Sequence, residues 1–330
     1  MRAFGKLLGR VLLVLVVLGA GLWIFGPREE VNLNPAFEPR KFGEGVQVYF
    51  ESIESGFGDI VPGTEKRVIW QLGAKEQRTP YSVLYIHGFS ASSEEIRPVP
   101  DQVADALGAN LVYTRLQGHG RGGDAMAEGT ASGWMQDTAE GLAAARAVGD
   151  KVIVISTSTG GTLAAAAAVN PELSQDVAAM IFVSPNFGVN DPLAWIPGLP
   201  GARLWLPPLM GGTRNPPTDN ADKDTYWSTD YSWEAIVPLT AIVQAVASQD
   251  FGTASVPALF RFSDDDQVVR ADLTRTIAAQ WGGQAELQPV NMGAGDDPSS
   301  HVITGDIMSP GQTELTVSDI MAWLKSQGIE

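Results

Sequence analysis

The chain has three histidines, at positions 87, 119 and 301, and no cysteine. Chemistry that needs an activated hydroxyl therefore has few bases to draw on. The run Lys151-Val152-Ile153-Val154-Ile155 leads into Ser156-Thr157-Ser158-Thr159-Gly160-Gly161 and then into an alanine-rich stretch ending at Val169. Strand, sharp turn and helix in that order hold a serine in a strained backbone with its hydroxyl exposed, provided the residues two before and two after it are small. Here they are Ser156 and Gly160, where glycine is usual at both places. Taken alone, the same residues also fit a Ser/Thr-rich loop that caps an ordinary helix.

A serine attacks at neutral pH only beside a base, most often a histidine that a carboxylate orients. In the chain order serine, acid, histidine that accompanies such a turn, the histidine must follow Ser158, and only His301 does. It stands in the polar turn Asp297-Pro298-Ser299-Ser300-His301-Val302. The acid is expected after a strand between the two, where Phe260-Arg261-Phe262 runs into Asp264, Asp265 and Asp266. Asp266, leading into Gln267-Val268-Val269, is the expected orienting acid, with Asp264 and Asp265 left to cap the next helix or face solvent. A developing oxyanion needs amide donors, expected from Thr159 and from Phe89 in the turn Tyr85-Ile86-His87-Gly88-Phe89-Ser90. His87 then reads as structural. No metal or cofactor is expected: the three aspartates lack the alternating spacing and closing glutamate of a calcium loop, and thiolate sites need cysteine.

These residues need elements to hold them. Runs at 83–86, 109–113, 152–155, 180–183 and 258–262 read as short strands, most of them continuously apolar as in a sheet buried on both faces. Helical segments at 99–107, 134–148, 161–169, 271–281 and 316–326 alternate with them, which predicts an α/β fold with a mostly parallel sheet and its site at the carboxyl ends of the strands. Two further β-like runs, 46–52 and 67–72, predict an antiparallel start to the sheet. Residues 186–250 break the alternation with 8 of the 21 prolines and 4 of the 9 tryptophans. They are expected to form a lid or cap between the two parts of one domain, 46–185 and 251–330; a small subdomain serving only its own core is the alternative.

Arg2, Lys6 and Arg10 precede an uncharged stretch from Val11 to Pro27. Read as a helix this spans roughly 25 Å, at the short limit for crossing a bilayer. Residues 1–26 are expected to be a signal-anchor that leaves the rest exported, on the periplasmic or extracellular side, or secreted if the segment is cleaved. Residues 27–45, rich in proline, asparagine and charge, read as a linker. The net charge of −16 disfavours nucleic acid as a partner, because such affinity rests on Lys and Arg displacing counterions.

In this order and spacing, His87-Gly88-Phe89, Gly118-His119-Gly120, Trp134 with Asp137, the turn at Ser158, Asp266-Gln267-Val268-Val269 and His301 resemble the α/β-hydrolase superfamily. Within it, the chain is similar to the monoacylglycerol lipase, lysophospholipase and bacterial carboxylesterase branch. The resemblance runs from about Tyr81 to the C-terminus apart from the insertion. It implies an α/β-hydrolase fold with a lid inserted after the sixth strand, Ser158 as nucleophile, His301 as base then acid, and Asp266 as orienter. A small lipophilic ester is the implied substrate, cleaved through an acyl-enzyme. Amide cleavage or acyl transfer by the same triad, or a catalytically silent binding protein on this fold, are the alternatives.

Overall fold

Along Val83-Leu84-Tyr85-Ile86, successive side chains enter two different cores. Leu84 and Ile86 join one that includes Trp134, Leu142 and Phe182; Val83 and Tyr85 join another that includes Val103, Ile153 and Trp323. Side chains alternate across a strand, so a run that is apolar at every position must be covered on both faces. The computed structural model describes residues 2–71, 76–214 and 220–330. Leu72 of the expected 67–72 run, residues 215–219 of the expected lid, and Met1 lie outside the described residues.

Among the described residues the central sheet has seven strands: β1 (Arg67–Ile69), β2 (Thr79–Ile86), β3 (Asn110–Tyr113), β4 (Gly149–Thr157), β5 (Val177–Val183), β8 (Ala258–Phe262) and β9 (Ala285–Pro289). Their spatial order is β1-β3-β2-β4-β5-β8-β9, and every pair is parallel except β1 with β3. Ile86, Ser156, Phe182, Phe260 and Leu287 stand side by side across five strands. The loops that follow these strands therefore leave the sheet at one level and converge.

One face is covered by α3 (Val99–Ala106) and α10 (Thr313–Ser326). The other carries α2 (Val46–Glu54), α4 (Ala131–Val148), α5 (Thr159–Ala168), α8 (Ile236–Ala247) and α9 (Ala271–Gln280). The remaining elements are α1 (Arg2–Phe25) at the N-terminus and, in the insertion, α6 (Ala202–Met210), α7 (Ala221–Tyr226) and the small pair β6 (Thr213–Arg214) and β7 (Tyr231–Ser232).

Three expectations are corrected. Residues 46–52 form not a strand but most of helix α2: Val46, Val48 and Phe50 fit a period of two, yet Val46, Phe50 and Glu54 are the buried positions, at helical spacing, and Val48 is exposed. The sheet accordingly starts with one antiparallel strand, and the insertion follows the fifth strand rather than the sixth. Strand β9 was not expected, because Ala285-Glu286-Leu287-Gln288-Pro289 lies at the sheet edge, where neither face is fully covered and the apolar signature is lost.

Within 186–250, α8 has only Thr240 and Gln244 as polar residues and adds Leu239, Ile242, Val243 and Val246 to the main core. Of the residues before it, Tyr231 packs on Phe89 in the loop after β2. Residues 27–45 lie against the domain: Ser132 Oγ donates to the Glu30 carbonyl and accepts from the Asn32 amide, and Phe37 and Phe42 pack on Tyr49. Glu29 pairs with Arg203 of α6 and accepts from the Ala131 amide. Leu22 of α1 abuts Gly201, whose amide donates to the Pro27 carbonyl. The apolar part of α1, Phe4–Phe25, spans 22 residues and is long and apolar enough to cross a membrane, and none of its described residues is buried in the domain.

Candidate active site

The turn from β4 into α5 places Ser158 at φ 51° and ψ −117°, a conformation that a side chain makes costly. Surrounding bonds hold it there. Its amide donates to the Val183 carbonyl, and its own carbonyl accepts from the Gly161 and Asn186 amides. Close packing dictates the residues around it. A Cβ at Gly160 would lie 2.1 Å from the Ile86 carbonyl oxygen, and one at Gly161 would lie 2.7 Å from Pro185 Cβ. At position 156 the serine replaces the usual glycine without a clash: it is fully buried and its hydroxyl donates to the Ile181 carbonyl at 3.2 Å.

The loops after β8 and β9 bring Asp266 and His301 to this turn. His301 Nε2 is 3.0 Å from Ser158 Oγ, and His301 Nδ1 is 2.8 Å from Asp266 Oδ2. Asp266 Oδ1 accepts the amides of Val268 and Val269, which aims the other oxygen at the imidazole. Of the three adjacent aspartates, Asp264 pairs with Arg275 at the surface and Asp265 is exposed, so only Asp266 meets His301. Burial alone would lower the His301 pKa, but the hydrogen bond and charge of Asp266, with Glu95 and Asp297 beyond, raise it above the usual histidine value.

Asp297 was not singled out in the sequence, and it builds the histidine loop. Its Oδ2 accepts from the amides of His301 and Val302 and from the Ser299 hydroxyl. Burial opposes the charge, yet these bonds hold its pKa below the ordinary carboxylate value. Only its position four residues before His301 in a Pro-Ser-Ser turn could have signalled this role, and a helix-capping aspartate looks the same.

On the other side of Ser158 lies the turn after β2. The amides of Phe89 and Thr159, the two expected oxyanion donors, give no hydrogen bond to a protein group among the described residues. His87 is fully buried, with Nδ1 donating to the Gly88 carbonyl and Nε2 accepting from the Leu116 amide. Burial lowers its pKa to about 4, and with both ring nitrogens taken by backbone groups it has no free lone pair turned to the site. His119 is likewise buried, with its pKa pushed well down, first by burial and then by His87. It packs edge-on to Phe89 and Trp134. The insertion reaches the same turn, through Tyr231 on the Phe89 ring and the Ser228 amide on the Ser90 carbonyl at 2.7 Å.

Asp137 belongs elsewhere. With Glu140 it surrounds the buried ammonium of Lys66, and its other oxygen accepts the Gln117 amide, which steadies the Gly-His-Gly turn from below. Among the described residues no group of three or more acidic or histidine side chains is arranged to hold a metal ion.

A parallel sheet with a strained serine at the end of its central strand, a histidine and an aspartate in line behind it, and free amides beside it defines a protein of the α/β-hydrolase class. A family model for the alpha/beta hydrolase family matches residues 83–304, and the chain belongs to that family. No curated protein matches the chain in sequence. Several solved structures share its fold. One, described with LipS and LipT, two metagenome-derived lipolytic enzymes, is 23% identical with a TM-score of 0.64 over 81% of this chain and 99% of that one. A soluble variant of monoglyceride lipase from Saccharomyces cerevisiae is 12% identical with a TM-score of 0.58, over 80% and 91% of the two chains. The monoacylglycerol lipase of Paleococcus ferrophilus is 13% identical with a TM-score of 0.55, over 80% and 99%.

Proposed function

We propose that this protein is a serine hydrolase that cleaves carboxylic esters through an acyl-enzyme. The observation that carries the reading is the unbroken line Ser158 Oγ, His301 Nε2, His301 Nδ1, Asp266 Oδ2, with each polar contact at 3.0 Å or less. Ser158 Oγ attacks the ester carbonyl carbon while His301 Nε2 takes its proton. Asp266 keeps the imidazole in the tautomer with its proton on Nδ1 and stabilises the imidazolium that forms. The negative oxygen of the tetrahedral intermediate is held by the Phe89 and Thr159 amides. Collapse expels the alcohol, which takes the proton from His301. Water, deprotonated by the same base, then attacks the acyl-Ser158 ester and releases the acid and the free serine.

Lipophilic esters such as acylglycerols or lysophospholipids suit the surroundings. The insertion exposes Leu193, Trp195, Leu204, Leu209 and Met210, and its α6 begins where α1 ends. In this reading α1 anchors the chain in a bilayer, with the catalytic domain exported, and sets the lid at the lipid surface. Turnover of a panel of p-nitrophenyl esters from acetate to palmitate, with and without vesicles, tests the substrate class: a rate that rises with chain length supports it, and hydrolysis of anilides alone contradicts it. Asp266→Asn is expected to leave the fold intact and to lower kcat by about 10⁴-fold, because the neutral amide favours the wrong imidazole tautomer. Circular dichroism and initial rates on one preparation check both halves of that expectation.

A further inference from the structure

One buried acid beside Ser158 has no part in the mechanism above. Glu95 lies in the loop between β2 and α3 with only 2% of its surface exposed. Its Oε2 accepts the Gly88 amide at 2.7 Å and the Tyr85 hydroxyl at 2.9 Å. Tyr85 Oη is in turn 3.1 Å from Thr157 Oγ1, the residue before the nucleophile. A Cβ at Gly88 would fall 2.7 Å from Glu95 Oε1 and 3.0 Å from Ser158 Cβ. The carboxyl group and the nucleophile thus flank the same glycine, and that glycine precedes the expected oxyanion donor Phe89.

We propose that Glu95 is a positioning residue: its carboxyl group holds the Gly88-Phe89 turn against Ser158 and supplies a second charge, beside the serine, that supports the His301 imidazolium. The inference rests on the serine-hydrolase reading and deepens it. Bonding to Oε2 explains why a buried acid is tolerated, since it satisfies the Gly88 amide, which would otherwise be left unpaired beside the nucleophile, and accepts a second bond from the Tyr85 hydroxyl. Its neighbour Glu94 faces outward to Arg67 and Arg97 and takes no part. The titratable groups facing Glu95 are Tyr85 from β2 and His301 from the loop after β9, and Asp266 and Asp297 act on His301 itself.

Burial raises the Glu95 pKa to about 7, against the opposing pull of the Gly88 amide, the Tyr85 hydroxyl and His301. Its charge is therefore present above neutrality and fades below it. An anion near His301 favours the imidazolium, so as Glu95 loses its charge the histidine becomes harder to protonate. The two groups share one broad acid limb, and neither pKa belongs to one residue alone. Stability runs in the opposite sense. Because the folded pKa is raised, the uncharged form is the favoured one, and its contribution is present in acid and lost as pH rises through about 7.

The test is the rate of fluorophosphonate labelling of the full chain from pH 5 to 9, for wild type, Glu95→Gln and Tyr85→Phe. Glu95→Gln keeps an acceptor for the Gly88 amide and the tyrosine but carries no charge. It is expected to move the acid limb down by about one pH unit, narrow it to a single ionisation, and lower the plateau rate about threefold to tenfold. Tyr85→Phe keeps the acid and removes one donor to its charged form, so the limb moves part of the way in the same direction. A purely structural acid would lower the melting temperature without changing the shape of the limb. If wild type is labelled and both variants superimpose on it in limb and plateau, the proposal is overturned. A folded wild type that takes no label at any pH contradicts the hydrolase reading itself, and the inference with it.

Discussion

Ser158→Ala is expected to lower kcat toward an ester by about 10⁶-fold while leaving the protein folded. In the proposed mechanism the residue contributes one hydroxyl, whereas its structural bonds are backbone: the amide to Val183 and the carbonyl to Gly161, Thr162 and Asn186. None depends on the side chain. The backbone at φ 51° remains strained for alanine, so Ser158→Ala should melt close to wild type. Ser158→Gly removes the steric cost as well and should gain about 1–2 kcal/mol in stability while being equally inactive. Loss of activity together with a rise in stability marks a residue held in place for chemistry rather than for folding. A Ser158→Ala variant within tenfold of wild type would assign the reaction to another group.

Gly160→Ala should have the largest effect on stability of any single methyl group in the site. The added Cβ would lie 2.1 Å from the Ile86 carbonyl oxygen and 2.7 Å from that of His87, both backbone atoms of the strand end that leads into the Phe89 turn. Neither can yield without moving β2 away from β4, to which Ile86 is paired through Ser156. A cost of about 3 kcal/mol or more is expected, at the upper end for overpacking, and the displaced turn should also slow labelling of Ser158. Ser156→Ala is the contrast. It only removes the hydroxyl bond to Ile181, which is worth about 1 kcal/mol, and should remain active. Chemical denaturation of the two variants side by side checks the difference in size.

The elements that support the site were readable where burial imposes a pattern. Strands β2, β4 and β5 are covered on both faces, so their apolar runs are continuous; the helices between them carry apolar residues at helical spacing. Pattern failed where burial is partial. Helix α2 hides behind a fortuitous alternation, and edge strand β9 carries no apolar run at all. The candidate site residues were proposed from scarcity and order: a single histidine follows Ser158, and of three neighbouring aspartates only Asp266 leads directly into Gln267-Val268-Val269, whose Val268 and Val269 amides hold its carboxylate in the structure. Asp297 and Glu95 were not legible, because their roles come from contacts across the fold. Glu95 meets Gly88 and Tyr85 only once the loop after β2 has closed, and in sequence it is one of two adjacent glutamates in a serine-rich turn.

The central claim is that Ser158 is the nucleophile, and peptide mapping after reaction with a fluorophosphonate tests it most directly. The account predicts one adduct per chain, on the peptide that contains Ser158, formed by wild type and absent from Ser158→Ala. A folded wild type that carries no adduct, or equal labelling of both proteins at another residue, would contradict it.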